Sequence, residues 1–424
     1  MGESVEAESN VYVLALASFK VPKSSVAVLI IFGSFKSGQR KLIAMTEFTS
    51  RFFGTGCLLC VLALMLGQFG IAQHLDEDVA SQTEGFSLDC DLSSFPLKPR
   101  SERDDLNHMA TLVANLLNSV TNDQKSSLNY CVGDKEMHSW TNVPGRRPGG
   151  VRLGDLNEAA QQHVWTALRS LLSEEGFATV ELLATDIERA SGVGTVEDYT
   201  VAVFGNPMID SAWGLQFDGH HIALNFLVHG DDLILAPMFL GSEPLTVNGG
   251  TPLEDEIQWG RELFESLSEE EQAQATVEGL VRGDVRAGSG NGHLDRGKDF
   301  PFEEFKNVGI PLSNLSDEQL EVAGDLIDAY LFYLPSPHAE NIRDAIKPKL
   351  TTGFFTFSQR RERVYYRIYV PDAILIEYNE EARDHLHTVM RLLDPENLND
   401  YGPFAWNAAR AVHTVHDHEL KRTR

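Results

Sequence analysis

Four short segments of alternating apolar residues between Tyr199 and Gly241 constrain the fold of this 424-residue chain most strongly. They read YTVAVFG, WGLQF, HIALNFLVHG and DLILAPMFLG, and short turn-forming junctions such as Gly230-Asp231 connect them. Alternation at a period of two predicts β-strands, and a Gly-Asp junction favours a hairpin turn. The segments therefore predict consecutive strands of one sheet, with the GHH triplet at Gly219–His221 opening the third strand.

Helical periodicity lies before and between the groups of strands. Apolar residues recur at spacings of three and four from Leu106 to Val120, a capping-box pattern at Asp155 begins a second helix, and further helical stretches cover 179–189, 254–281 and 316–334. The C-terminal third alternates again in RVYYRIYV, AILIEYN and DHLHTVMRLL. Because helices and strands are grouped, the sequence predicts an α+β fold with a mainly antiparallel sheet packed with N-terminal and intervening helices.

The N-terminal region is typical of an exported protein. The apolar run CLLCVLALMLG, Cys57–Gly67, has the length of a signal-peptide core and is too short to span a bilayer. Gly70 and Ala72 supply small residues before a cleavage site at Gln73. A signal anchor that stays attached is the alternative. We therefore expect a secreted or periplasmic protein whose signal peptide ends near Ala72.

This signal divides the chain into three parts. Residues 1–72 combine an over-extended start, which reaches Ala44, with the signal peptide. Residues 73–100 are polar and predict a tether or a surface-wrapping segment. Residues 101–424 are expected to form a single α+β domain, for which the hydrophobic fraction of 42% supplies a sizeable core.

The net charge limits the classes of binding partner, and the cysteine content indicates the cellular compartment. The formal net charge of −27 argues against nucleic acid as a partner and, after signal cleavage, against an anionic membrane, since both would repel the protein. Cys90 and Cys131 remain after the signal is removed. An even pair in an exported protein predicts one disulfide, and two buried free thiols are the alternative.

The strongest local signal for chemistry is the pair His385 and His387. If Asp384–Met390 is a strand, residues two apart point to the same face, so the two imidazoles are placed to bind one metal ion. Glu377 in the preceding strand could lie across from them in an antiparallel hairpin. Two histidines and a carboxylate are the ligands of many zinc hydrolases and non-haem iron sites. A hydrogen-bonded histidine pair on a solvated sheet face is the alternative.

His220 and His221 form a second histidine pair, directly after Gly219. On a regular strand the two rings face opposite sides, so we expect one ring in the site and the other hydrogen-bonded behind it, to a carboxylate such as Asp218. A bulge after Gly219 would relax that limit. In the other interpretation, both rings are polar neighbours of an aromatic core.

Three further side chains are candidates for catalysis. Asp384, or the histidine of the GHH pair that does not bind metal, is expected to shuttle a proton. Arg367 or Arg391 could bind a substrate carboxylate, with ordinary surface ion pairs as the alternative. The sequence contains no G-x-S-x-G, H-E-x-x-H or phosphate-binding loop motif.

Several stretches together resemble an uncharacterised family, DUF3500. They are WGLQFDGHHIALNF, PMFLGSEP, YYRIYVPDAILIEYN and DHLHTVMR, with LNEAAQQHVWTALRSLLSEEGF upstream. The resemblance covers roughly 106–400 and implies a shared fold and export, but it carries no established reaction. The candidate ligands Glu377, His385 and His387 match the usual family pattern. The chain departs from that pattern close by, where Asp384 replaces an asparagine and Leu392 an acidic residue, and also at Leu215, which replaces an aromatic residue.

These features predict an exported metal-dependent enzyme, most simply a hydrolase. Glu377, His385 and His387 are expected to bind one divalent ion together with His220 or His221. Zinc is favoured, and iron or copper would instead give an oxidoreductase because imidazole suits all three metals. A non-catalytic metal or ligand binder is the third possibility. The substrate and the oligomeric state do not follow from the sequence.

Overall fold

The computed structural model describes the backbone of three N-terminal strands, residues 88 and 90, and residues 97–143, 149–281, 284–287 and 307–393. The N-terminal strands form an antiparallel sheet in the order β1 (Tyr12–Val21), β2 (Ser24–Ser34), β3 (Arg40–Thr49). They belong to a compact unit, Met1–Ala80, and the rest of the chain, Ser81–Arg424, forms the second unit. The predicted signal core at Cys57–Gly67 lies outside the described residues.

The second unit contains one large sheet of eleven strands. The strands are β4 (Asn129–Tyr130), β5 (Val151–Arg152), β6 (Thr200–Phe204), β7 (Ala212–Gly219), β8 (Ile222–His229), β9 (Asp232–Ser242), β10 (Ile310–Pro311), β11 (Phe354–Arg360), β12 (Arg363–Val370), β13 (Ile374–Ala382) and β14 (His385–Leu392). Their order is β10-β11-β12-β13-β14-β9-β8-β7-β6-β4, with β5 paired to β6, and all pairs except β4–β6 are antiparallel. The α+β prediction with a mainly antiparallel sheet is confirmed.

The helices pack on one face of this sheet and form the main core with it. The α-helices are Asp104–Asn118, Asn122–Leu128, Glu158–Leu171, Glu174–Leu182, Glu188–Ser191, Glu254–Ser266, Glu269–Ala275, Asp317–Leu331 and Ser336–Ile346. Phe264 stacks on Phe357 of β11 at 3.9 Å between ring centroids, and Trp165 contacts Phe217 of β7 at 5.8 Å. None of the described helices is long and apolar enough to cross a membrane.

The opposite face of the sheet is buried as well, but it is polar. One register row crosses eight strands on this face, and it consists of Thr356, Arg367, Glu377, Val389, Phe239, Ala223, Asp218 and Thr200. The charged members Arg367, Glu377 and Asp218 are each at most 2% exposed. Buried charges are costly unless they are paired, so a face of this composition indicates a functional surface better than a structural one.

The segment before the first helix is bound to the sheet. The main-chain N–H of Lys98 donates to His229 Nε2, and Arg100 donates to the carbonyl of Pro207. A disulfide joins Cys90 to Cys131, 41 residues apart, as predicted. Residues 97–100 therefore lie against the sheet, and most of the polar segment 73–100 is outside the described residues.

Candidate metal centre

His220 and His221 occupy the two-residue turn between β7 and β8, where Gly219 pairs with Ile222. The expectation that they begin a strand is wrong. Because the turn places His221 in the left-handed region, with φ of 66°, both rings lie on one side and stack at 3.7 Å. The main-chain N–H of Gly241 on β9 donates to the carbonyl of His221 and fixes this turn against the sheet.

His385 and His387 lie two residues apart on β14 and therefore share a face, as predicted. His387 pairs with Gly241 near the end of the neighbouring strand β9. A β-bulge lies opposite them, because Glu380 pairs with Leu386 while Ala382 pairs with His385. The extra residue is Glu381, whose carboxylate reaches Nδ1 of His387 at 3.2 Å and Nδ1 of His385 at 3.8 Å. Bulges commonly redirect a side chain in this way beside active sites.

Three imidazoles meet at this edge of the sheet. His385 Nε2 lies 3.0 Å from His221 Nε2 and 3.0 Å from His387 Nε2, and one ring nitrogen of each residue is within 4.8 Å of the others. Nitrogens that bind one zinc ion at 2.0–2.1 Å are about 3.3 Å apart in a tetrahedron. Two of the three donor separations are therefore close to the value that a single metal ion requires, and the third is within 4.8 Å.

Gly241 makes the convergence possible. A Cβ at this position would lie 2.7 Å from Cδ2 of His387 and 2.9 Å from Cδ2 of His221. Two of the three rings thus occupy the space where any other residue would carry a side chain. The strand provides this space without unusual backbone geometry, so the requirement for glycine here is one of volume.

Carboxylates lie beside Nδ1 of two of these rings, His385 and His387. Asp284 Oδ1 lies 2.7 Å from His387 Nδ1, and Asp284, Glu381 and His387 form a second close group of potential metal ligands among the described residues. Burial opposes protonation of His387, but the hydrogen bonds and charges of both carboxylates outweigh it and raise the pKa to about 9. Carboxylates at Nδ1 orient a metal-binding imidazole and increase its basicity.

The other two ligands have the opposite tendency. Burial, together with the neighbouring histidines, lowers the pKa of His221 well below its usual value. Burial and His387 also lower the pKa of His385, although Glu243 and Glu381 oppose the shift. Both rings therefore favour the neutral form, which is the form that binds a metal ion.

His220 is hydrogen-bonded behind the cluster, as expected, but its partner is Glu188. Nδ1 of His220 lies 2.8 Å from Glu188 Oε2, and that carboxylate is buried. A π-helical turn, Leu183–Ile187, directly precedes Glu188. Such turns are rare and frequently occur at functional sites, where the additional residue changes the direction of the side chains that follow. The O–H of Tyr199 also donates to the carbonyl of His220.

Glu377 is not a member of the histidine cluster. It lies on the predicted face but pairs with Val389, whereas His387 pairs with Asn379, so Glu377 is one register row further along the strands. Its carboxylate accepts hydrogen bonds from the N–H of Ala287 at 2.5 Å and the O–H of Tyr365 at 2.7 Å. Of the predicted set, which was Glu377, His385, His387 and one of His220 or His221, the structure brings together only the three histidines His221, His385 and His387.

The other predicted catalytic residues are also engaged elsewhere. Arg391 Nε donates to the carbonyl of Ala287, and Arg367 donates to Tyr365 and Thr356. Asp384 is exposed, and its Oδ1 accepts from the main-chain N–H of Leu245.

The carboxylates that do face the rings, Glu188, Asp284 and Glu381, were not identified from the sequence. Glu188 lies at a helix end, Asp284 in a loop and Glu381 in a β-bulge. The strand alternation that identified His385 and His387 does not apply to any of these three positions.

A family model described as "Protein of unknown function (DUF3500)" matches residues 102–403, more than two thirds of the chain. The chain belongs to the DUF3500 family. No curated protein and no solved structure matches it. Two of the departures of this DUF3500 member from the usual pattern, Leu215 and Leu392, are buried in the core on the helix-covered face. They therefore lie away from the three histidines, two of which, His385 and His387, are on the opposite face of the sheet.

Proposed function

We propose that this DUF3500 protein is a metal-dependent enzyme, most simply a zinc hydrolase, whose metal ion is held by His221, His385 and His387. The observation that supports the proposal is that His385 Nε2 lies 3.0 Å from both His221 Nε2 and His387 Nε2, with one ring nitrogen of each residue within 4.8 Å of the others. Three protein ligands and an open position are typical of catalytic zinc. His385 retains 19% exposure of its side chain, so a metal ion held by these three rings would be accessible to water and substrate.

The surrounding residues have distinct roles in this proposal. A bound divalent ion would lower the pKa of a coordinated water and polarise an acyl or phosphoryl oxygen. Asp284 and Glu381 lie at Nδ1 of His387, where they would keep a proton on that nitrogen and leave Nε2 to bind the ion once its own proton is displaced. Glu188 fixes the ring of His220 beside His221, where it is placed to accept or return a proton.

The ligand set also bears on the choice of metal. The set of two histidines and one carboxylate that is typical of non-haem iron would need a carboxylate in the cluster, and Glu377 is held elsewhere. Copper remains the main competitor because three imidazoles suit it as well as zinc. A copper-containing oxidoreductase is therefore the second candidate function, and a non-catalytic metal binder is the third.

Metal analysis of protein purified without a histidine tag tests the proposal. We expect about one equivalent of zinc in the wild type and none in His385→Ala, with the same circular dichroism spectrum for both. His108→Ala is the matched control, because His108 is an exposed histidine of a helix outside the cluster. Copper would transfer support to the oxidoreductase. Metal-free wild type after zinc dialysis, or full zinc retention in His385→Ala, would contradict the site itself.

We also propose that the protein is exported. The disulfide between Cys90 and Cys131 supports an oxidising compartment, since such bonds are rare in the cytosol. N-terminal sequencing of protein from its own host should begin near Gln73. An intact Met1 in cytoplasmic protein would exclude export.

A further inference from the structure

A short segment, Asp284–Ala287, lies against the polar face of the sheet and is bent at Asp284 and Arg286, with a turn at Ala287. Val285 and Ala287 are buried, whereas Asp284 and Arg286 are exposed, so the segment turns every second residue towards the sheet. We call the segment the strap.

Buried charged side chains bind the main chain of the strap. The carboxylate of Glu377 accepts from the N–H of Ala287 at 2.5 Å and also from the N–H of Arg286. Arg391 Nε donates to the carbonyl of Ala287 at 2.7 Å. Main-chain N–H and C=O groups occur in every peptide, so this part of the surface recognises a peptide backbone regardless of its side chains.

Apolar contacts receive the inward side chains of the strap. Val285 and Ala287 belong to a small cluster, separate from the main core, with Trp140, Phe239, Leu375 and other residues of the polar face. At its other end the strap reaches the candidate metal centre, where Asp284 contacts His387. The strap thus runs from His387, which Asp284 contacts, to Glu377 and Arg391, which bind the main chain of Ala287.

We propose that the strap occupies a peptide-binding groove, and that the substrate of the neighbouring metal centre is a peptide that displaces the strap. The catalytic part rests on the proposed function, but the binding part does not need a metal ion. In the displaced state Glu377 and Arg391 hold the incoming main chain, and Glu381 remains on His387.

Binding of a dye-labelled peptide with the strap sequence Asp-Val-Arg-Ala, acetylated and amidated, tests the groove by fluorescence anisotropy. The matched probe is the same peptide with an N-methyl group on alanine, which removes the N–H that Glu377 accepts. We expect the N-methyl peptide to bind about tenfold or more weakly, because a hydrogen bond to a charged group is lost. Equal binding of both peptides, or no binding of either, would overturn the proposal.

A strap variant tests the competition. Ala287→Pro removes the same N–H from the strap, so we expect the unmethylated peptide to bind this variant about tenfold or more tightly than the wild type. Arg286→Ala keeps the main chain of the strap and is the control, with wild-type affinity.

Hydrogen exchange of the wild type covers the case in which Ala287→Pro does not fold. Saturating peptide should accelerate exchange of the Arg286 and Ala287 amides, and unchanged exchange would overturn the proposal. Peptide binding that persists in His385→Ala without metal would show that the groove stands even if the hydrolase assignment fails.

Discussion

Replacing Gly241 by alanine should weaken metal binding while the protein stays folded. The new Cβ would lie 2.7 Å from His387 and 2.9 Å from His221, while ordinary contact begins at 3.4 Å. The two rings must therefore retreat by about 0.7 Å and 0.5 Å, and the carbonyl of Leu386 at 3.0 Å restricts movement of the strand itself. Functional constellations tolerate displacements of about 0.5 Å.

The expected loss is about 10- to 100-fold in zinc affinity, which corresponds to about 1.4–2.7 kcal/mol. Overpacking should cost about 1–3 kcal/mol of stability, which leaves the protein folded if its stability is ordinary. Competition against a chromophoric chelator at neutral pH measures the affinity, and urea unfolding measures the stability.

Gly250→Ala is the control for this experiment. Its new Cβ would meet only the carbonyl of Val247, at 3.6 Å, which is an ordinary contact. We expect wild-type zinc affinity for this variant. If Gly241→Ala is folded and its zinc affinity is within about twofold of that of the wild type, His221 and His387 are not ligands of the metal ion.

Four further outcomes follow from the structure. Glu381→Gln should weaken zinc binding about tenfold, because an amide is a weaker hydrogen-bond acceptor than a carboxylate for the Nδ1–H of His387. Chelator competition measures this affinity, and an unchanged value would contradict the prediction. Burial raises the pKa of Glu256 to about 8 from 4.5, so its carboxyl is harmless below pH 4.5 and increasingly destabilising as the pH rises through 8. Glu256→Gln should therefore gain a few kcal/mol over the wild type in urea unfolding at pH 9 and little at pH 4.5, and a constant difference would contradict this pKa. Gly324→Ala, in a helix and with no atom within 4 Å of the new Cβ, should raise the free energy of unfolding by about 1 kcal/mol. Serine at both Cys90 and Cys131 should lower it by up to about 4 kcal/mol, and an unchanged urea midpoint would show that the disulfide constrains little.

Local periodicity in the sequence was sufficient for the fold class and for part of the site. Alternation identified the strands, and the grouping of helices and strands predicted an antiparallel α+β sheet. His385 and His387 were correctly placed on one face because residues two apart in a strand share a face whatever the strand packs against. The disulfide between Cys90 and Cys131 followed from an even count of two cysteines after the signal.

The tertiary structure decided which side chains meet. His221 is 164 residues from His385 in sequence, and Asp284 is 103 residues from His387. Spacing within a strand determines only the face of each residue, whereas strand order, register and bulges determine its neighbours. Glu377 lies one register row away from His387, so it contacts the strap and not the metal centre. The turn at His220-His221 supplies the third imidazole. Contacts between residues so distant in sequence form only when the intervening chain closes into a long loop, and no local pattern of residues predicts them.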